Sequence, residues 1–232
     1  MRLFIVLFLC SSMLCLGSFS SMSYSNSNNQ DRTPDETIVS GGLQRYTFQH
    51  FAPFSYGSNF VLGEMSTANF ESQSQAYAFM AWNPSLSLSK LSDKNISWGI
   101  IKDVSLSFGL ERGYDYKAEM GGLGLSLDIP SFNYVKVNIL YKHNNVNSDN
   151  HQLVLAWDKA FVLGVPWRFT GFMIHSGTDM GTSYMAEPQL MLEGKVFGKA
   201  YKQLLLGLSL YVLNETQTLD QHIPTLVLKW NW

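Results

Sequence analysis

Apolar and polar residues alternate along most of the chain from about residue 43 onwards, in segments of roughly ten residues. In the segment from Tyr134 to His143, Val135 and Val137 fall on one side and Lys136 and Asn138 on the other, because successive side chains of a strand point to opposite faces. The same alternation recurs in residues 104–112, 186–193, 204–213 and 224–232. No sustained helical period interrupts it, so the pattern predicts an all-β protein.

Clusters of Gly, Asn, Asp, Ser and Pro divide this region into eleven candidate strands. They lie near residues 43–51, 59–68, 76–88, 97–111, 116–128, 134–143, 151–158, 166–175, 184–194, 203–213 and 223–232. A single-chain transmembrane β-barrel has an even number of strands. Ten or twelve strands therefore fit, and the short apolar stretch at 37–41 is a candidate for the twelfth.

Two architectures account for the alternation: a soluble barrel or sandwich with its apolar face inside, and a membrane barrel with its apolar face towards lipid. The polar faces carry mostly Ser, Asn, Gln, Gly and Thr, which suits a hydrated lumen. Aromatic residues lie near segment ends, as two membrane interfaces require. These are Trp82, Trp98, Tyr134, Tyr141, Trp157, Trp167, Trp230 and Trp232. The sequence therefore favours an antiparallel transmembrane β-barrel. The direction of Val135 and Val137 relative to Lys136 and Asn138 distinguishes the two architectures, because the valines face lipid in a membrane barrel and the interior in a soluble one.

The N-terminus resembles a secretory signal peptide. Arg2 precedes an apolar run from Leu3 to Leu16, and small residues allow cleavage after Gly17 or Ser20. Both cysteines of the chain lie within this run, so the mature protein would need no disulfide. We expect a signal peptide at residues 1–20, a flexible Ser- and Asn-rich mature N-terminus at 21–40, and a barrel at 41–232.

Composition and charge narrow the function. Only 15% of residues are charged, against roughly 25% in ordinary soluble domains, and 14% are aromatic. The net charge of -2 provides no field for a nucleic acid. The five histidines are scattered, and no nucleophile elbow, zinc motif or phosphate loop occurs. We therefore expect no enzyme activity, no metal and no cofactor.

A family resemblance rests on the order of several short motifs. These are Phe79 to Leu91 (FMAWNPSLSLSKL), Ile96 to Gly99 (ISWG), Gly122 to Asp128 (GLGLSLD), Met185 to Gln189 (MAEPQ) and the terminal LKWNW. Together they resemble the nucleoside-specific channel-forming Tsx and OmpK-like family of outer-membrane proteins, over about residues 43–232. The resemblance implies a 12-stranded barrel with a narrow lumen in the outer membrane of a Gram-negative bacterium. It also implies nucleosides as solutes, and a terminal strand ending at Trp232 that the barrel-insertion machinery reads.

Strand parity selects the side chains that would line the lumen and bind a solute. These are Tyr77, Phe79, Asn83, Glu111, Lys136, Asn138, Lys142, Glu187, Gln189 and Tyr211, with Asp158, Glu193 and Lys229 on the same faces. Their mixed charges predict no strong ion selectivity. The leading hypothesis is an outer-membrane channel for passive uptake of small polar solutes. The alternatives are a non-conducting structural or adhesion barrel whose loops bind a partner or phage, and a soluble secreted β-barrel that binds an apolar ligand.

Overall fold

The computed structural model describes residues 19–27, 31–32, 38–39, 43–70, 73–179, 181–215 and 219–232. Twelve antiparallel strands close into one barrel. They are β1 (Phe19–Ser27), β4 (Leu43–Phe54), β5 (Gly57–Phe70), β6 (Gln73–Ser87), β7 (Ile101–Arg112), β8 (Lys117–Leu127), β9 (Tyr134–Asn144), β10 (Asn150–Leu163), β11 (Val165–Thr178), β12 (Gly181–Glu193), β13 (Leu204–Glu215) and β14 (Leu219–Asn231). A two-residue hairpin, β2 (Asp31–Arg32) with β3 (Ile38–Val39), lies outside the barrel sheet. The predicted fold class is confirmed.

Strands adjacent in the chain are adjacent in the barrel, and β1 closes the sheet by pairing with β14 on one side and β4 on the other. The backbones of Ser20 and Trp232 exchange two hydrogen bonds of 3.1 and 3.0 Å at one end of this seam. We call that end of the barrel the proximal rim and the opposite end the distal rim. Closure leaves no barrel strand with an unpaired edge.

Two helical connections occur at the proximal rim. Residues 88–100 join β6 to β7 and include the short helix α1 (Leu88–Ser92), whose first turn is capped by the Ser87 hydroxyl accepting from the Lys90 N–H at 3.2 Å. Residues 194–203 join β12 to β13 and form two 3₁₀ turns, Gly194–Phe197 and Lys199–Tyr201. No helix in the described part of the chain is long and apolar enough to cross a membrane.

The barrel wall is apolar outside and polar inside. On β13 and β14, Leu208 and Leu226 are 62% and 61% exposed, while the alternating Ser209 and Thr225 are buried. On β9, Lys136 and Asn138 bond to lumen-side serines, so Val135 and Val137 lie on the outer face. This is the arrangement expected of a barrel that faces lipid, and the opposite of a soluble one.

The aromatic residues occupy different levels of the wall. All six tryptophans of the chain lie in the proximal half of the barrel or in a proximal connection. Exposed tyrosines, including Tyr46, Tyr141 and Tyr184, lie towards the distal rim on the outer face. Tyr134 differs from the sequence prediction, because it pairs with Asp158 and shares the inward parity of that residue.

The structure corrects the interpretation of the N-terminus. The predicted flexible segment 21–40 and the end of the predicted signal peptide overlap β1, which is part of the barrel wall. The twelfth strand is therefore Phe19–Ser27, and not the stretch at 37–41, of which Ile38–Val39 pairs with Asp31–Arg32. The serines of β1 alternate with the outward Met22 and Tyr24. Because this segment contains only these few apolar residues, its sequence pattern did not predict a strand. Residues 1–18 and most of 28–42 lie outside the described residues.

Candidate functional site

The lumen is built from alternate residues of all twelve strands. By register, all ten predicted lumen residues lie on the inward face. They do not form one site, because they divide among three regions of the wall: the proximal part of β6 to β9, the distal part of the same strands, and the arc from β10 through β14 to β4. Solute binding by them stays a prediction.

The first region is a cluster of hydroxyl and amide groups, which we call the serine cluster: Ser85, Ser105, Ser107, Lys136 and Asn138. Lys136 Nζ donates to Ser85 Oγ at 3.0 Å, and Ser107 Oγ donates to Asn138 Oδ1 at 3.1 Å. Ser105 Oγ donates to the Gly124 carbonyl at 3.2 Å, and Ser85 Oγ lies 3.4 Å from Ser107 Oγ. The three serines are 4–6% exposed, so the cluster is held against the wall.

Gly124 makes the serine cluster possible. A Cβ at this inward position would lie 2.5 Å from both Ser105 Oγ and Ser107 Oγ and 2.6 Å from Asn138 Oδ1. Only glycine leaves the space in which these three polar groups converge, since real Cβ contacts are not that short. Asn83, another predicted residue, lies against Gly109 next to this region, with its Oδ1 3.0 Å from the position of a Cβ there.

The second region combines an ion pair with two aromatic rings. Tyr116 Oη donates to Glu111 Oε2 at 2.8 Å, and Lys142 Nζ lies 3.9 Å from the same oxygen. Lys142 Nζ also lies 5.4 Å from the centre of the Tyr116 ring, a cation–π distance. The Phe79 ring centre is 6.4 Å from that of Tyr116. This region thus offers aromatic faces beside a carboxylate and an ammonium group.

The third region contains Glu187, Gln189 and Lys229. Gln189 Nε2 donates to Glu187 Oε1 at 3.0 Å, and Lys229 Nζ donates to Gln49 Oε1 at 3.1 Å across the seam. On the neighbouring strands, Arg168 Nε lies 3.5 Å from Asp158 Oδ1 and 3.8 Å from Glu193 Oε1. Opposite charges therefore alternate around this arc of the lumen.

Sequence reasoning did not select a further pair. Arg45 Nε lies 3.0 Å from Glu64 Oε1, with the two side chains 13% and 12% exposed, and Arg45 Cζ lies 5.4 Å from the centre of the Tyr211 ring. The inward parity of Arg45, Thr47 and Gln49 on β4 was the available signal. It was weak because the outward residues Gln44 and His50 of the same strand are also polar.

The lumen is nearly neutral, and apolar side chains fill it along part of the wall. Met191, Val227 and Leu205 are inward and only 0–4% exposed, and the inward carboxylates Glu111 and Glu193 are 14% and 15% exposed. Among the inward side chains that the structure describes, five are basic and six acidic. They are Arg45, Lys136, Lys142, Arg168 and Lys229, and Glu64, Asp103, Glu111, Asp158, Glu187 and Glu193.

At the distal rim, the connection at 145–149 places Asp149 beside the end of β9. The Tyr141 hydroxyl donates to Asp149 Oδ2 at 2.6 Å, and His143 Nδ1 contacts the other carboxylate oxygen. These hydrogen bonds, the one from Tyr141 first, lower the pKa of Asp149 below its ordinary value, because they stabilise the charged carboxylate. The arrangement ties the loop to the barrel wall.

Comparison with solved structures identifies the barrel type. The structure of the KdgM porin superposes with a TM-score of 0.54 at 12% sequence identity, covering 90% of this chain and 98% of that chain. The KdgM porin in complex with disordered oligogalacturonate gives a TM-score of 0.53 at 10% identity, covering 92% and 98%. This chain has the fold of a porin barrel. No protein-family model and no curated protein matches the sequence.

Proposed function

We propose that this protein is an outer-membrane channel that passes small polar solutes passively. The observation that carries the proposal is the closed wall, with an apolar outer face around a polar, charged interior. The fold shared with the KdgM porin supports it. Asp103 Oδ1 and Ser209 Oγ also support a hydrated lumen, because both are buried on the inward side without a hydrogen-bond partner among the described residues, and such groups are as a rule bonded to water.

For the solute we propose nucleosides, as the resemblance to the Tsx and OmpK-like family implies. The region around Phe79, Tyr116, Glu111 and Lys142 combines the required groups: a ring face can stack on a base, and charged groups can bind ribose hydroxyls. Stacking of one base is worth about 1–3 kcal/mol in nucleic-acid binders. A channel needs sites of this modest strength, since the solute must also leave.

We also propose that residues before β1 are a signal peptide and that cleavage follows Gly17. Cleavage there leaves all of Phe19–Ser27 in the mature chain, whereas cleavage after Ser20 removes the residue whose backbone pairs with Trp232. The outward Trp230 and Trp232 then present the terminal strand to the insertion machinery. Mass spectrometry of the protein from outer membranes tests this: a mature chain beginning at Ser18 supports it, and one beginning at Ser21 contradicts it.

A second candidate, the non-conducting structural barrel, is favoured by one observation. The inward cluster of Met191, Leu205 and Val227 is almost fully buried, so the lumen is filled at that level of the β12 to β14 arc. An open channel conducts ions across a lipid bilayer, whereas a closed barrel does not.

Conductance in planar lipid bilayers tests the channel. We expect discrete steps of small size that added adenosine reduces and added glucose does not. Phe79→Ala is expected to weaken the adenosine effect, and Met80→Ala, whose side chain is 56% exposed on the outer face, should leave it unchanged. Absence of any step would favour the closed barrel, and equal effects of adenosine and glucose would remove the nucleoside assignment while keeping the channel.

A further inference from the structure

The charges of the connections differ between the two rims. The proximal connections, at 55–56, 88–100, 128–133, 164 and 194–203, carry five lysines and two aspartates, a net charge of +3. In the residues that the structure describes, the distal connections carry four aspartates, Asp31, Asp115, Asp149 and Asp179, and one arginine, Arg32, a net charge of -3. The barrel therefore has a basic proximal end and an acidic distal end.

All five proximal lysines belong to the two helical connections, which we call the basic lips. Lys90 and Lys94 lie in the lip at 88–100, and Lys195, Lys199 and Lys202 lie in the lip at 194–203; all five are exposed. In the order of strands around the barrel, six strands separate the β6–β7 connection from the β12–β13 connection in either direction. The basic lips therefore lie on opposite sides of the proximal rim.

Each basic lip also exposes large apolar side chains. In the first lip Trp98 is 82% and Ile100 59% exposed, and in the second Phe197 is 56% and Tyr201 49% exposed. Trp and Tyr prefer the membrane–water interface, and lysines beside them bind anionic lipid. In a rim surrounded only by water, large apolar side chains exposed beside the lysines of both lips would be unfavourable.

We propose that the two basic lips bind the headgroups of anionic phospholipid, and so fix the proximal rim in the leaflet that contains that lipid. The inference rests on the proposed membrane barrel. Lys90, Lys94, Lys199 and Lys202 hold the phosphate groups, whereas Lys195 is paired with Glu193 Oε2 at 2.5 Å. Trp98, Phe197 and Tyr201 enter the interfacial region. Because the lips are on opposite sides, the two lipid contacts keep the proximal rim parallel to the membrane surface. The acidic distal rim would be repelled by the same anionic headgroups if the barrel were inserted the other way round.

Quenching of tryptophan fluorescence by brominated lipids tests this inference, because all six tryptophans are proximal and so report that rim. The protein is reconstituted in phosphatidylcholine vesicles containing either brominated phosphatidylglycerol or brominated phosphatidylcholine. One lysine near a lipid surface is worth about fivefold in binding. The relative association constant for phosphatidylglycerol is therefore expected to exceed about 5 in the wild type and to fall towards 1 when Lys90, Lys94, Lys199 and Lys202 are all replaced by Gln.

A matched pair of variants localises the effect. Lys90→Gln/Lys94→Gln removes two proximal charges, and Arg112→Gln/Lys117→Gln removes two exposed distal charges. We expect only the first to lower the preference for phosphatidylglycerol. A wild-type ratio near 1, or equal losses in both variants, would overturn the inference, as would lysine variants that change the ion selectivity of the pore and not the lipid ratio. Failure of brominated phosphatidylcholine to quench at all would instead contradict the membrane barrel itself.

Discussion

Replacing Leu208 by arginine distinguishes a lipid-facing wall from a water-facing one. Leu208 is 62% exposed on the outer face of β13, between Leu190 and Leu226 of the adjacent strands, which are 46% and 61% exposed. Because most of the side chain contacts no other part of the protein, the substitution removes little internal packing. The measured effect therefore reports the surroundings of this position.

The expected magnitude differs sharply between the two environments. Arginine near the midplane of a bilayer destabilises a β-barrel by about 2–4 kcal/mol, which is about thirty-fold to seven-hundred-fold in the folded-to-unfolded ratio. At a position that faces water, a surface substitution changes the free energy of unfolding by less than about 0.5 kcal/mol. Leu208→Arg is expected to show the larger loss.

Guanidinium unfolding of the barrel in phospholipid vesicles, followed by tryptophan fluorescence, measures that loss. Asn214→Arg is the control, because Asn214 is exposed on the same face of the same strand near the distal rim. Its expected loss is about 0–1 kcal/mol, since the cost of arginine falls near the interface. A loss below about 0.5 kcal/mol for Leu208→Arg, or equal losses for the two variants, would refute a lipid-facing belt.

Three further outcomes test the lumen and the distal rim. Gly124→Ala is expected to lower the free energy of unfolding by about 1–3 kcal/mol through overpacking of the serine cluster, whereas Gly121→Ala, whose added Cβ would have no neighbour nearer than 3.9 Å, should be nearly neutral in the same denaturant assay; equal losses would contradict this reasoning. Arg45→Met is expected to lose about 3–5 kcal/mol because the Glu64 carboxylate stays buried without this cation, and Arg45→Met/Glu64→Leu should recover most of that loss; a double variant no more stable than the single one would argue against the ion pair. The pKa of Asp149 is lower in the folded state, so its stabilisation of the loop is complete above the unfolded pKa of about 4 and is lost as the pH falls through the folded pKa. Hydrogen-exchange protection at 145–149 should therefore fall over that acid range in the wild type but not in Asp149→Asn. Identical profiles for the two proteins would contradict a role for the Asp149 carboxylate.

The orientation of the wall was predictable from sequence because a strand has a side-chain period of two and the two environments here differ strongly. Lys136 and Asn138 alternate with Val135 and Val137, so parity divided the side chains between two faces, and the aromatic residues at segment ends favoured the apolar face as the outer one. β1 was not predictable in this way. Its outward face offers Met22 and Tyr24 among serines, and what makes it a strand is the pairing of its backbone with β14 and β4.

The contacts between lumen residues depend on information that parity does not contain. The candidate strand at 116–128 began with Tyr116, but its alternation did not indicate that the Tyr116 hydroxyl would meet Glu111 of the neighbouring strand. The convergence of Ser105, Ser107 and Asn138 depends on the relative register of three strands and on the space above Gly124. Sequence therefore predicted which side chains face the lumen, and the register determines which of them meet.

The seam between β1 and β14 determines the order in which the barrel can be completed. Apart from this seam, the pairings in the barrel join strands that follow one another, and most are simple hairpins that form between neighbouring segments. The seam instead joins Ser20 to Trp232, which lie 212 positions apart in the sequence (232 minus 20), so its closure carries the largest loss of chain entropy among these pairings. Folding of this barrel should consequently have one slow final step, in which the first strand meets the last, following rapid formation of the local hairpins.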